Sequence, residues 1–181
     1  MTRLSASLHA QALRGVVLPA YDRSRVTPGI VHLGIGAFHR AHMAVYVDDL
    51  LKDDPSWAII GASLRRPDTN EALEPQDGLY TVAVRDAEGT HPRIIGSILE
   101  VLDANSERED LLALMASPAI RIVSLTVTEK GYCHDPATGE LDERHPDIAH
   151  DLANPAAPVR RRACWSRHWR AVAPPVLRPS R

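Results

Sequence analysis

Residues 29–36, GIVHLGIG, constrain the fold of this chain more than any other stretch. They form a short, β-branched apolar run closed by two glycines. FHRAHMAVYVDDLLKDD follows, with Ala41, Val45, Leu50 and Leu51 in roughly helical period and Pro55 beyond. Strand, glycine turn and helix in that order are how a chain enters a dinucleotide site. There the first glycine permits the tight turn, and the second lets the backbone approach a pyrophosphate at the helix start. The third lets helix and strand pack closely. Gly34 and Gly36 fill the first two places, but the third holds His39, followed by Arg40. Taken alone, GxG fits a ligand-free strand–helix turn as well as a nucleotide loop. The strand before it and the helix after it favour the nucleotide loop.

The rest of the chain extends this pattern. WAIIGASL reads as a second buried strand, and RRPDTNEALEPQDG as a loop with a helical turn. LYTVAVRD and PRIIGSILEVL read as further strands, joined as a hairpin across Ala87-Glu88-Gly89. SEREDLLALMASP predicts a short amphipathic helix with Ser106 as N-cap and Glu109 completing a capping box. AIRIVSLTVTE predicts a buried strand, GYCHDPATGELD a loop and HPDIAHDLA a helical fragment. The apolar runs are continuous rather than alternating, and helices separate them. Both features favour a mainly parallel sheet covered on two faces, in the doubly wound α/β class.

Composition excludes several classes. With 44% hydrophobic and 24% charged residues, the chain is ordinary for a globular protein. It has no run of 18 apolar residues and no convincing h-region, so neither a membrane partner nor a leader is expected, and a cytoplasmic location is. Cys133 and Cys164 form no CxxC. His39 and His42 lie three apart at a helix start, but no third ligand has suitable spacing, so no metal is expected. The net charge of −2 conceals an asymmetry. Residues 159–181 carry seven arginines and no acid, leaving 14 basic against 23 acidic residues in 1–158, a net −9.

GIGAFHRAH, QDGLYTV, RIIGSI and RIVSLTVTEKGYC together resemble the mannitol dehydrogenase family of polyol and uronate dehydrogenases, across about residues 19–158. The resemblance implies a Rossmann-type domain over residues 29–158, preceded by an arm, residues 1–28, and C-terminally truncated. It implies that Gly34, Gly36, Phe38, His39 and Arg40 line the pyrophosphate of NAD, with NADP as the alternative. Asp68 stands where the family often has an acid near the adenosine ribose. A carboxylate there accepts from the 2′-hydroxyl and repels a 2′-phosphate. Arg65 and Arg66 beside it would instead pair with a 2′-phosphate, and a solvated charged loop is the plainer alternative. The resemblance gives Glu129 a role in proton passage; the alternative is a strand-end acid paired with Lys130 or Arg121. Thr126 and Thr128 either contact the cofactor or satisfy the backbone.

The implied activity is interconversion of a polyol or aldonate with its 2-keto sugar: mannitol with fructose, or mannonate with fructuronate. The family's catalytic lysine, asparagine and histidine stand as K-x4-N-x2-H on a helix of a second domain. The only lysines here, Lys52 and Lys130, do not fit that pattern, and no tyrosine fits Y-x3-K. The small-molecule substrate therefore meets no catalytic base in this chain. The tail VRRRACWSRHWRAVAPPVLRPSR has no periodicity and reads as an out-of-frame product of a GC-rich gene, with a frameshift near Pro158. Permitted codons read two bases later encode an amphipathic helix leading into an apolar strand. A basic tail that binds nucleic acid is the competing reading; the acidic body and the lack of an RNA-binding motif argue against it.

Overall fold

The computed structural model describes residues 4–5, 15–64, 68–126 and 133–154. The chain divides into two compact units, Met1–Thr126 and Val127–Arg181. The first holds a four-stranded parallel sheet of β1 (Pro28–Leu33), β2 (Ala58–Ser63), β5 (Ile98–Asp103) and β6 (Ile122–Leu125), in the order β5-β2-β1-β6. Between β2 and β5 the chain makes an antiparallel hairpin, β3 (Tyr80–Asp86) with β4 (Gly89–Ile95). The helices are α1 (Ala37–Ala41), α2 (Met43–Leu50), α3 (Asp68–Leu73) and α4 (Arg108–Met115). In the second unit, His134 bridges to Leu141, and α5 (Pro146–Ala153) is capped by His145, whose ring accepts from the Asp147 N–H at 3.2 Å.

The sheet is a Rossmann arrangement, and its order creates the functional geography. From β1 the chain moves to β2 and then β5 on one side, and β6 returns to the other side of β1. The strand order therefore reverses between β1 and β6, and ligands of open parallel sheets bind at the carboxyl ends of such a pair. β2 is buried along its whole length, and β1 everywhere except Pro28, as parallel strands covered on both faces require.

Four local expectations need correction. AIRIVSLTVTE reads as a buried strand, but β6 is not buried: Ile122 is 44% and Leu125 48% exposed. PRIIGSILEVL is not one strand: Gly96 and Ser97 divide it into β4 of the hairpin and β5 of the parallel sheet. The Gly96 N–H leaves the ladder to bond the Asp48 carboxylate at 2.8 Å, while the Ser97 carbonyl accepts from Ile59. The helix after the glycine loop breaks at His42, whose backbone (φ −125°, ψ −84°) separates α1 from α2. Ser106 does not cap α4. Its hydroxyl donates to Asp103 at 3.0 Å, and Glu107 holds the N-cap position without a side-chain cap, its carboxylate accepting from the Asp103 N–H.

Residues before β1 dock on the first unit. Val17 pairs with Arg93 of β4, Val26 is buried, and the Arg23 guanidinium donates to the carbonyls of Gly96, Asp77 and Ile98. Gly61 of β2 makes room for the loop. A Cβ there would lie 2.7 Å from Cδ1 of Ile35, the buried residue between the two loop glycines. Gly61→Ala is expected to lower stability by about 1–3 kcal/mol through overpacking. It should also displace Ile35 and weaken any ligand held by the loop. Urea unfolding followed by circular dichroism measures the first effect.

Candidate nucleotide site

The loop leaves β1 at Gly34, where φ is +96° and a Cβ would lie 3.1 Å from the Thr126 carbonyl. Both facts restrict the position to glycine. The Gly34 N–H bonds the Ala62 carbonyl at 2.9 Å, so the turn is fastened to the end of β2. Thr126, just after β6, donates its N–H to Leu33 at 3.0 Å, closing the opposite side.

Gly36 has a different reason to be glycine. Its backbone (φ −75°, ψ 179°) is open to any residue. Among the described residues a Cβ there would meet nothing nearer than the Gly34 carbonyl at 4.0 Å. The described part of the fold therefore leaves space in front of this residue without itself needing it. It is the N-cap of α1, which has no side-chain cap. Its own N–H bonds the Gly34 carbonyl at 2.7 Å, so any donors offered to a ligand are those of the residues that follow it.

His39 lies beneath the loop. Its ring is 1% exposed and stacks on the His32 ring, with centroids 3.7 Å apart and planes at 19°. Neither ring nitrogen of His39 has a hydrogen-bond partner among the described residues. His32 is fully bonded: Nδ1 meets the Ser124 hydroxyl and Nε2 the Thr126 hydroxyl, both at 2.9 Å. Burial pushes His32 down to about 4 from an ordinary 6.5. Burial, then the neighbouring His32 and Arg40, push His39 down to about 3. Both rings are neutral at physiological pH.

A pH dependence follows with a definite sign. Above pH 6.5 the two rings are neutral in the folded and the unfolded chain alike, and contribute no slope. Below it the unfolded chain takes up protons that the folded rings refuse, down to about pH 4. Stability is expected to fall with acidification, by up to about 1.4 kcal/mol per pH unit per histidine. Urea unfolding at pH 7, 6 and 5 measures the slope, and His39→Phe should remove its own share. An unchanged slope in that variant would contradict a neutral buried ring.

The other expected residues divide. Phe38 is 68% exposed, its ring tilted against His42 at 4.6 Å between centroids. The Arg40 guanidinium turns back to the Ile35 carbonyl at 2.8 Å and so braces the loop. The Thr126 hydroxyl is occupied by His32. Asp68 is exposed at the first position of α3, after β2. Arg65, Thr128 and Glu129 lie outside the described residues, as does the tail. Arg121 stands over the Trp57 ring at 3.3 Å and donates to the Ser56 hydroxyl. Among the described residues no three His, Cys, Asp or Glu side chains group to hold a metal ion, and no helix is long and apolar enough to cross a membrane.

The model of the mannitol dehydrogenase Rossmann domain matches residues 28–167. This chain belongs to the mannitol dehydrogenase family. The mannitol 2-dehydrogenase of Cereibacter sphaeroides is 50% identical over 150 residues, covering 81% of this chain and 31% of its own length. The D-mannonate oxidoreductase of Escherichia coli is 49% identical over 148 residues, with 79% and 30% covered. Among solved structures, the Pseudomonas fluorescens mannitol 2-dehydrogenase ternary complex with NAD and D-mannitol superposes with a TM-score of 0.77 at 38% identity, over 94% of this chain and 37% of that one. The chain thus spans about a third of the length of the mannitol dehydrogenases it matches.

The family motifs acquire physical reasons. In QDGLYTV, the Tyr80 hydroxyl donates to the Arg40 carbonyl at 2.6 Å, near the break between α1 and α2. In RIIGSI, the Ser97 hydroxyl donates to the Ala44 carbonyl at 2.6 Å and ties the β4–β5 junction to α2. Sequence reasoning missed Tyr80, His32 and Ser124 as parts of the site. One signal was available: a histidine in an otherwise apolar strand needs partners. Ser124 and Thr126 are two apart in another apolar run and so share a face.

Proposed function

We propose that this chain binds NAD in the Gly34–Arg40 loop, as the nucleotide-binding part of a dehydrogenase that interconverts a polyol or aldonate with its 2-keto sugar. The observation that carries the reading is the open space before Gly36, at the reversal of strand order between β1 and β6. A side chain would fit there, yet the residue is glycine. The loop backbone and the start of α1 would hold the diphosphate, and Arg40 braces the loop from Ile35. Asp68 would accept from the ribose 2′-hydroxyl, which favours NAD over NADP; Arg65, if it took a 2′-phosphate, would reverse that preference.

NAD, when bound, supplies a hydride acceptor for oxidation of a secondary alcohol. The names of the relatives support mannitol and mannonate as the substrates to test. Glu129, which lies outside the described residues, is our candidate for proton relay. The lysine, asparagine and histidine that the family uses as base and oxygen-polarising groups have no counterpart in this sequence. By itself this sequence is expected to bind the nucleotide without turnover; a frameshift near Pro158 remains our explanation of the acid-free tail, although the family model extends to residue 167.

Three experiments test this. Calorimetric titration of the purified chain with NAD and NADP is expected to show one NAD site; no heat with either nucleotide overturns the reading. Assay with mannitol and mannonate plus NAD should give no turnover; measurable NADH from this chain alone refutes the fragment reading. Sequencing the gene around codon 158 decides the origin of the tail.

A further inference from the structure

A third glycine in the loop would let the first helix settle close to the strand before it. This chain has an imidazole there, and the structure shows how the space is found. The His39 ring lies flat on the His32 ring, at 3.7 Å between centroids. The His32 ring cannot turn aside, because two hydroxyls hold both its nitrogens: Ser124 of β6, opposite in register, and Thr126 just after the strand. Each hydroxyl can donate or accept, so the pair holds the ring's orientation in either tautomer. Ser124 reaches Met43 at the start of α2 as well, at 4.0 Å to its sulfur.

We propose that His32 and His39 are positioning residues for the nucleotide loop: a hydroxyl-clamped ring and a ring stacked upon it, replacing the third glycine and coupling β6 to the start of α1. The inference rests on the reading of the loop as an NAD site. It concerns stacking and not hydrogen bonding by His39. That ring is sealed from solvent, and its nitrogens meet no partner among the described residues. What it offers the loop is a flat face. The clamp spans both banks of the crevice between β1 and β6, so the loop's position responds to either side.

The test uses the full 181-residue chain. His39→Gly restores the common glycine pattern and should weaken NAD binding about tenfold by calorimetry, the upper range for losing a stacked aromatic pair. His39→Phe keeps a flat ring and removes the unbonded nitrogens. It should stay within about threefold of the parent affinity. Equal losses in both variants would show that the nitrogens act, and an unweakened Gly variant would show that the stack does nothing; either overturns the proposal. Should both variants fail to fold, Ser124→Ala attacks the clamp from β6. It should weaken NAD about threefold and shift the ¹⁵N resonance of His32 Nδ1, which loses its hydroxyl partner; unchanged binding and spectrum overturn the proposal. If the parent chain binds no NAD, the functional reading fails first. Amide exchange over Gly36–Arg40 then decides the positioning claim by itself. Faster exchange in His39→Gly than in His39→Phe supports it, and equal rates overturn it.

Discussion

Gly36→Asp is expected to cost this chain its affinity for NAD while leaving its thermal stability unchanged or slightly raised. The two effects have opposite signs because one position serves two purposes. Gly36 is the N-cap of α1, where aspartate is among the best residues and typically adds a few tenths of a kcal/mol over glycine. Its extended backbone accepts a side chain, and the nearest atom to the new Cβ stands 4.0 Å away. The fold therefore tolerates the change. A diphosphate does not, because the carboxylate occupies its space and repels its charge. Two like charges about 4 Å apart cost about 4 kcal/mol at an effective dielectric of 20. Even half of that surviving is about thirtyfold in affinity, and the full value approaches about a thousandfold. Calorimetry with NAD and a thermal melt of the same sample give both readouts. An aspartate variant that binds NAD like the parent would falsify the placement of the nucleotide at this loop.

The glycine loop was readable before the structure because each of its signals is local. β1 and β2 are continuous apolar runs, and Gly34 and Gly36 follow β1 within three residues. What the sequence concealed was set by distance. The division of PRIIGSILEVL leaves no trace in hydrophobicity, since Ile94, Ile95 and Ile98 are all buried on both sides of the break. Its cause is the Asp48 carboxylate, 48 residues away, which takes the Gly96 N–H. Ser106 and Glu109 made a sound capping box on paper, but Asp103 offered the serine hydroxyl a nearer acceptor. Nor does the helical period across Ala41, Val45 and Leu50 betray the kink at His42, and it misses the buried face: Ala41 and Leu50 are exposed, while His39, Ala44 and Val47 are buried. His32 is the sharpest case. Its two partners lie 92 and 94 residues later, and only the parallel pairing of β1 with β6 brings them opposite.

Asp48→Ala is expected to destabilise the chain strongly for a change at a polar side chain. The Asp48 side chain on α2 is 1% exposed and gathers three donors from three segments. The Tyr21 hydroxyl donates to it at 2.5 Å, the Gly96 N–H at 2.8 Å and the Arg93 guanidinium at 2.6 Å. Burial, with Asp48 beside it, raises the Tyr21 hydroxyl far above its ordinary range, so that group remains a donor at any working pH. Alanine leaves all three donors facing a dry space. Removing one partner of a buried charge pair typically costs about 3–5 kcal/mol. Here Arg93 retains Asp49 at 2.6 Å, and that carboxylate is 57% exposed, so relief is partial and the lower end of the range, about 3 kcal/mol, is expected. Tyr21→Phe removes one hydrogen bond and should cost only about 1 kcal/mol. The two should be coupled in a double-mutant cycle, because the phenol and the carboxylate share one contact. Urea unfolding of the four proteins measures this, and a cost below about 1 kcal/mol for Asp48→Ala would show that α2 holds the hairpin by apolar packing alone. The consequence reaches the loop. Asp48 anchors α2, and α2 follows α1 directly across His42, so an unanchored α2 lets the start of α1 drift. NAD affinity should therefore fall with stability in Asp48→Ala, whereas in Gly36→Asp affinity falls and stability does not.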